Sequence, residues 1–355
     1  MYVYEEPARG DYPPLDFIGM SGIDRMRAGV DGRMPYPPNH HLTGLRSVDV
    51  GDGYAVFSMP VSPWFQAYAG LYPAGICAVV ADAPLGGAVL SKLAPGVFGV
   101  TSELSINYLR PVSRDTTDLF ARARLINAGS SLGLSECVVE DAAGRVLAHA
   151  TSRYFLSTID PPPSPSVMHP YAPHEYATPD PWRRPLGDDG SRVESVARMT
   201  GLEAFHAYAA GEVPPAPFAR LLGIHPREAT AGNVTCTMRA SKWLTSPART
   251  IYGGNLAFFA DFLMTSAAST TMPAKSSVAM LDVKVQYLRP GLADDQDIVG
   301  TGTVVHRGRN IAVTRAEIRN AEGKAVALAT GSAMVLEGRP WAVVSVADEA
   351  EEDSD

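Results

Sequence analysis

Two aspartates, Asp82 and Asp261, stand in stretches of mostly apolar and small residues, 75–93 and 254–271. Such a stretch is apolar around a whole helical circumference, so it is expected to form a helix buried on most sides. A carboxylate there has little reason to exist unless it is paired or used. Both stretches open on glycine, in Pro73-Ala74-Gly75 and Tyr252-Gly253-Gly254. The unpaired N–H groups and positive dipole end of a helix start favour developing negative charge. An oxyanion donor and a base or nucleophile within reach of a carbonyl carbon are the two groups that acyl transfer to water needs. Asp82 and Asp261 are therefore the leading catalytic candidates. The bland alternative is an ordinary buried acid bonded to backbone.

The elements that must position these groups occur twice. At an offset of 179 residues Leu42 falls on Leu221, Gly44 on Gly223, Gly53 on Gly232, Met59 on Met238, Trp64 on Trp243 and Asp82 on Asp261. Without a gap, Tyr108-Leu109-Arg110-Pro111 then meets Tyr287-Leu288-Arg289-Pro290, and Ala150-Thr151 meets Ala329-Thr330. Isolated Trp, Gly and Asp residues at one spacing mark a tandem duplication. Each copy predicts a strand (54–61, 233–240), a polar loop, the buried helix and then an antiparallel meander, in the first copy 97–110, 119–127, 132–156 with a turn at Ala143-Gly144. Pro84 and Gly86-Gly87 are expected to kink or loosen the first helix. The fold class is α+β, two modules each with a sheet wrapped around a long helix. The expected divisions are an N-terminal extension, 1–41; module 1, 42–158; a Pro-rich linker holding a helix near 192–210, within 159–214; module 2, 215–338; and an acidic tail, 339–355.

The composition is that of a globular protein, 46% hydrophobic and 19% charged, with enough length for two cores. Six of the charges behind the net −8 are Asp348, Glu349, Glu351, Glu352, Asp353 and Asp355. The body is nearly neutral, which argues against a nucleic-acid surface. Cys77, Cys137 and Cys236 are odd in number and widely spaced, as reduced thiols of a cytoplasmic protein would be. No run reaches membrane-span length, and the eight histidines form no metal pattern. No serine-nucleophile elbow, Walker or dinucleotide motif occurs, and no cofactor is implied.

The order strand, glycine-started helix with an internal acid, and strand ending in Tyr-Leu-Arg-Pro resembles the hotdog-fold acyl-CoA thioesterases of the phenylacetate-pathway and 4-hydroxybenzoyl-CoA type. The resemblance spans both modules. It implies an active site between modules, the helix start of one facing the carboxylate of the other. Site one would join Gly253 and Asp82, and site two Ala74 and Asp261. Tyr252, Gly254 and Gly75 would line the substrate. The family's His-Gly-Gly step is changed: its His is Pro73 in one copy and Tyr252 in the other, and its first Gly is Ala74 in copy 1. A supporting Ser or Thr, seven residues before the strand's Tyr, falls on Thr101 but on Met280 in copy 2. The family's upstream Asn or Gln position holds Ala67 and Ser246, with Gln66 one residue away. Site one is thus expected to work and site two to be weakened or given to binding.

Arg307-Gly308-Arg309 adds two guanidiniums suited to the phosphates of an acyl-CoA, or equally a solvated turn. The expected partner is an acyl-CoA or other acyl thioester, and hotdog pairs associate further through their sheets, which admits a homo-oligomer. A non-catalytic acyl-CoA sensor is the main alternative. A hydratase of the same duplicated form would require a closely spaced Asp and His on one loop, and no such pair is present.

Overall fold

Two helices apolar on every side need a sheet to surround them, and the chain provides one large sheet. The computed structural model describes residues 2–67, 71–167, 169–186, 196 and 198–339. The acidic tail from residue 340, and the start of the helix expected near 192, lie outside these. Twelve strands pair into a single sheet among the described residues, in the order β1-β2-β4-β5-β6-β3-β9-β12-β11-β10-β8-β7. The first half comprises β1 (Arg46–Gly51), β2 (Tyr54–Pro60), β3 (Val97–Tyr108), β4 (Asp118–Ala128), β5 (Leu132–Asp141) and β6 (Val146–Thr158). The second comprises β7 (Ile224–Thr230), β8 (Asn233–Arg239), β9 (Ser277–Tyr287), β10 (Asp297–Arg307), β11 (Ile311–Arg319) and β12 (Ala325–Leu336). The strands β1 and β7, which the sequence pattern does not reveal, pair with β2 and β8 at the two outer ends.

The halves join where β3 pairs antiparallel with β9. Ser105 faces Lys284, its own counterpart, while Leu104 faces Val285, the counterpart of Ile106, and Ile106 faces Val283, the counterpart of Leu104. The register is therefore symmetric about Ser105 and Lys284, and a local two-fold axis passes between them.

Numbering helices along the chain, α1 is Gly22–Val30, α2 Pro38–Thr43, α3 Ile76–Leu90, α4 Gly201–Ala209, α5 Pro217–Leu222 and α6 Gly253–Ser269. The buried helices α3 and α6 fill the two halves, contact each other and place nearly every side chain in the core. Gly75 lies against Phe258, and Gly254 against Val79, so each helix start rests on the second turn of the other helix. The absence of a β-carbon at these glycines permits that approach.

The repeat is longer than the sequence alone shows. Helices α1 and α4 occupy equivalent positions, as do α2 and α5, all at the same offset of 179. Gly22 N–H donates to Leu93 O and Gly201 N–H to Met272 O, docking α1 and α4 on the ends of the central helices. A methyl at either glycine would overlap a helix-end carbonyl, of Leu90 or of Ser269. Residues 21–41, expected as part of an extension, and 200–214, expected as linker, thus fall within the stretch that holds the first two helices of each repeat. Helix α2 reaches across to module 2, Asn39 N–H donating to Thr245 O, and α5 reciprocates from Phe218 N–H to Gln66 O.

The Pro-rich stretch is anchored along the N-terminal residues: Asp180 pairs with Arg9 and His41, and Arg184 forks onto Glu6. Its backbone also accepts the Trp64 indole N–H at Arg184 O, while the Trp243 indole donates to Glu6 O. Helix α3 runs unbroken through Pro84 from Ile76 to Leu90. Gly86 admits the Tyr154 ring and Gly87 admits Ala55 and Met26, so these glycines serve close packing instead of loosening the helix.

Candidate active site

The crossing of α3 and α6 creates two equivalent places where a carboxylate of one module meets the helix start of the other. At the first, the Asp82 carboxylate accepts the Gly254 N–H at 3.0 Å and the Thr101 hydroxyl at 3.4 Å. A β-carbon on Gly253 would lie 2.8 Å from Asp82 Oδ2, closer than a methyl group tolerates. Gly253 N–H, the first of the helix, has no hydrogen-bond partner among the described residues. The structure brings together Asp82, Thr101, Gly253 and Gly254.

A β-bulge aims Thr101 at the carboxylate. The register between β3 and β6 slips at Ser102, leaving Thr101 opposite Tyr154. The Tyr154 hydroxyl donates to Asp82 O, that of Tyr252 to Val79 O and that of Tyr287 to Gly253 O. Burial holds all three phenols well above their usual pKa, with the Asp82 charge adding to the effect, so they stay neutral donors. Asp82 is 5% exposed. Desolvation pushes its pKa up to about 6, opposed by the Gly254 N–H and the Thr101 hydroxyl. At neutral pH it is mostly charged, as a base or nucleophile must be.

The second place is poorer. Asp261, 2% exposed, accepts among the described residues one hydrogen bond of good geometry, from the Gly75 N–H at 3.3 Å. The methyl of Ala74 stands where Gly253 has none. The equivalent bulge, between Ser332 and Ala333, sets Met280 opposite Ala333 in place of the Thr101–Tyr154 pair. Asp261 Oδ1 has no hydrogen-bond partner, and the Tyr108 hydroxyl beside it closes no bond of acceptable geometry. Desolvation pushes this carboxyl to about 7, offset by the Gly75 N–H and the neighbouring Tyr108 hydroxyl. Near neutrality about half of it is uncharged.

Other expected site residues lie elsewhere or are otherwise engaged. The Gln66 amide donates to the Tyr72 hydroxyl and Ser246 Oγ accepts Ala248 N–H, and neither bonds to a carboxylate of the pair. Arg307 bonds to Gly308 O, touches Met272 beyond the far end of α6 and pairs loosely with Glu337. Met272 lies eleven residues past Asp261, roughly 17 Å along a helix, so Arg307 is not beside either aspartate. Arg309 is exposed in the turn. Tyr154 and Tyr287 are site residues that the sequence reading left without a role. The mismatch of Tyr154 with Ala333 at the repeat offset was the available signal for the first. Among the described residues no cluster of three or more His, Cys, Asp or Glu could hold a metal ion, and no helix is long and apolar enough to cross a membrane.

The thioesterase superfamily model matches residues 76–148 and 248–327, one segment in each half, and each segment contains the central helix and its aspartate. Each half of this chain carries a segment that matches the thioesterase superfamily. The tandem modules also share their fold with solved structures along most of the chain. A putative thioesterase from Novosphingobium aromaticivorans superposes with a TM-score of 0.52 at 14% identity, covering 82% of this chain and 98% of its own. An acyl-CoA thioesterase II from Mycobacterium marinum gives 0.51 at 14% identity over 84% and 96%. A hotdog-fold protein of unknown function from Alicyclobacillus acidocaldarius gives 0.51 at 14% identity over 87% and 97%. No curated protein matches the chain. The two modules thus form a tandem double hotdog, as the sequence resemblance implies.

Proposed function

We propose that this chain hydrolyses an acyl-CoA or similar acyl thioester at the Asp82 site. One observation carries the reading: Asp82, held by Thr101 and Gly254 N–H, faces the unengaged N–H of Gly253 at the start of the other module's helix. A thioester carbonyl oxygen would accept the Gly253 N–H. Asp82 would take a proton from water as the water oxygen attacks the carbonyl carbon. The resulting oxyanion gathers charge at the helix start, where N–H groups and dipole favour it. Its collapse breaks the C–S bond, and the protonated Asp82 returns its proton to the departing thiolate. The products are a carboxylic acid and a free thiol. Asp261 has the same placement, yet it lacks the threonine and is only about half charged near neutrality, which supports assigning turnover to Asp82.

Thiol release from acyl-CoA substrates of graded chain length tests the assignment. Asp82→Asn is expected to abolish release, and Asp261→Asn to leave most of it. Loss of release in Asp261→Asn with retention in Asp82→Asn would falsify the site. Binding of acyl-CoA by the unaltered chain with no thiol released would favour a sensor instead.

A further inference from the structure

One peptide group at the Asp82 site is held at both ends. The carbonyl of Gly253 accepts the Tyr287 hydroxyl at 2.8 Å, and the N–H of the same peptide, on Gly254, donates to Asp82 at 3.0 Å. A hydrogen bond to an amide oxygen polarises the amide and strengthens its N–H as a donor. It also stops the peptide plane from turning, which matters where a glycine pair leaves the backbone free to do so. We propose that Tyr287 is the positioning residue of the Asp82 site, fixing the Gly253–Gly254 peptide so that its N–H keeps the carboxylate in its charged, reactive form.

The other half of the molecule is an internal comparison. Tyr108 is the counterpart of Tyr287, but among the described residues its hydroxyl has no hydrogen-bond partner, and the Ala74 carbonyl accepts the Cys77 N–H of its own helix without a tyrosine clamp. There the corresponding N–H, of Gly75, stands 3.3 Å from Asp261. The same tyrosine in the same strand position therefore holds a peptide at one site and none at the other. The clamp gives the second Tyr-Leu-Arg-Pro strand end a role at Asp82 that the first, at Tyr108, has no counterpart for at Asp261.

The titratable groups facing Asp82 are Tyr154 on β6, Tyr252 at the start of α6 and Tyr287 on β9, with Thr101 on β3 as the neutral hydroxyl. All three phenols are held neutral, so the pH response belongs to the carboxyl.

The proposal rests on Asp82 as the reacting carboxylate, and its test separates the two claims. Tyr287→Phe removes only the hydroxyl. Weakening one charge-assisted bond makes Asp82 roughly a tenfold weaker acid. With its pKa rising from about 6, thiol release is expected to fall about eightfold at pH 5.5, about twofold at pH 7 and not at all at pH 8.5. Tyr108→Phe should leave the profile unchanged. A loss merely structural in origin would lower the rate equally at every pH, and that result, or an unchanged profile, overturns the clamp. In parallel, carbon-13 NMR titration of the Asp82 carboxyl in the full chain should show the same upward displacement in Tyr287→Phe alone. This measurement needs no turnover: a displaced titration in a chain that releases no thiol would support the clamp and refute the proposed hydrolysis. An undisplaced titration overturns the clamp whatever the activity.

Discussion

Replacing Asp82 by asparagine is expected to stabilise the protein while disabling the site. In the folded chain the Asp82 carboxyl titrates near 6, against an ordinary 3.8, because burial disfavours its charge. Between these pH values the folded chain keeps a proton that the unfolded chain has released, so raising the pH favours unfolding. The cost of the charge is therefore absent below about pH 4, grows through the interval and is complete somewhat above pH 6. Its size follows from the displacement, about 3 kcal/mol. An unfolding entropy of about 2.1 cal/mol/K per residue over 355 residues converts this to roughly 4 °C in Tm. Thermal unfolding of Asp82→Asn and the unaltered chain should be followed at pH 4 and pH 8. The variant's Tm relative to wild type should be about 4 °C higher at pH 8 than at pH 4. Any fixed cost of accommodating the amide cancels in that difference. Equal relative Tm values at the two pH values, or a variant that loses ground at pH 8, would show that the carboxylate is not held charged against burial, and the argument for Asp82 as a poised base would fall.

Two further substitutions probe close approaches in the structure. Gly253→Ala puts a methyl 2.8 Å from Asp82 Oδ2, so the carboxylate must retreat from the helix start, toward the longer 3.3 Å reach that Asp261 has to the Gly75 N–H; thiol release at pH 7 should drop roughly tenfold or more, whereas wild-type rates in this variant would exclude the tight Gly253–Asp82 geometry from the mechanism. Gly201→Ala sets a methyl on the Ser269 carbonyl and dislodges the Gly201 N–H from Met272 O, so urea unfolding should show a loss of roughly 1–3 kcal/mol; a change under about 0.5 kcal/mol would mean that α4 is not docked there.

The sequence was most legible where burial leaves one pattern available. Apolar residues on every side gave the central helices to within a few residues, and the ungapped repeat placed Asp82 and Asp261 in equivalent settings before any contact was known. Strands β1 and β7 escaped because Arg46–Gly51 and Ile224–Thr230 lie at the sheet ends and expose much of their length, which blurs the two-residue alternation. The paired helices α1 and α4 escaped for another reason. Their shared features are a capping Ser21 or Thr200, the following glycine, an acid three residues past the cap, Asp24 or Glu203, and a buried alanine, Ala28 or Ala207, while most of the other residues have diverged. The glycines make the closest approach in the docking, and a glycine in a loop-rich stretch signals turns more often than contact. Local pattern could not show which strand partner faces Thr101, because a bulge at Ser102 sets that pairing. The hydroxyls of Tyr154 and Tyr287 reach their carbonyls only after the sheet has closed around both helices.

The symmetric join at Ser105 and Lys284 has a bearing on how the two sites came to differ. In a dimer of separate identical chains, every substitution appears twice, once on each side of the axis. A change that suits one site is imposed on the other, and an exchange that disables a site disables both. Here one covalent chain supplies both sides while keeping the paired geometry of the axis. Met280 and Ala333 could replace threonine and tyrosine in one place without touching Thr101 and Tyr154 in the other. Fusion thus uncouples inheritance from symmetry: one half of the sheet is released to drift or specialise while the shared strand pairing holds it in position as scaffold for its partner.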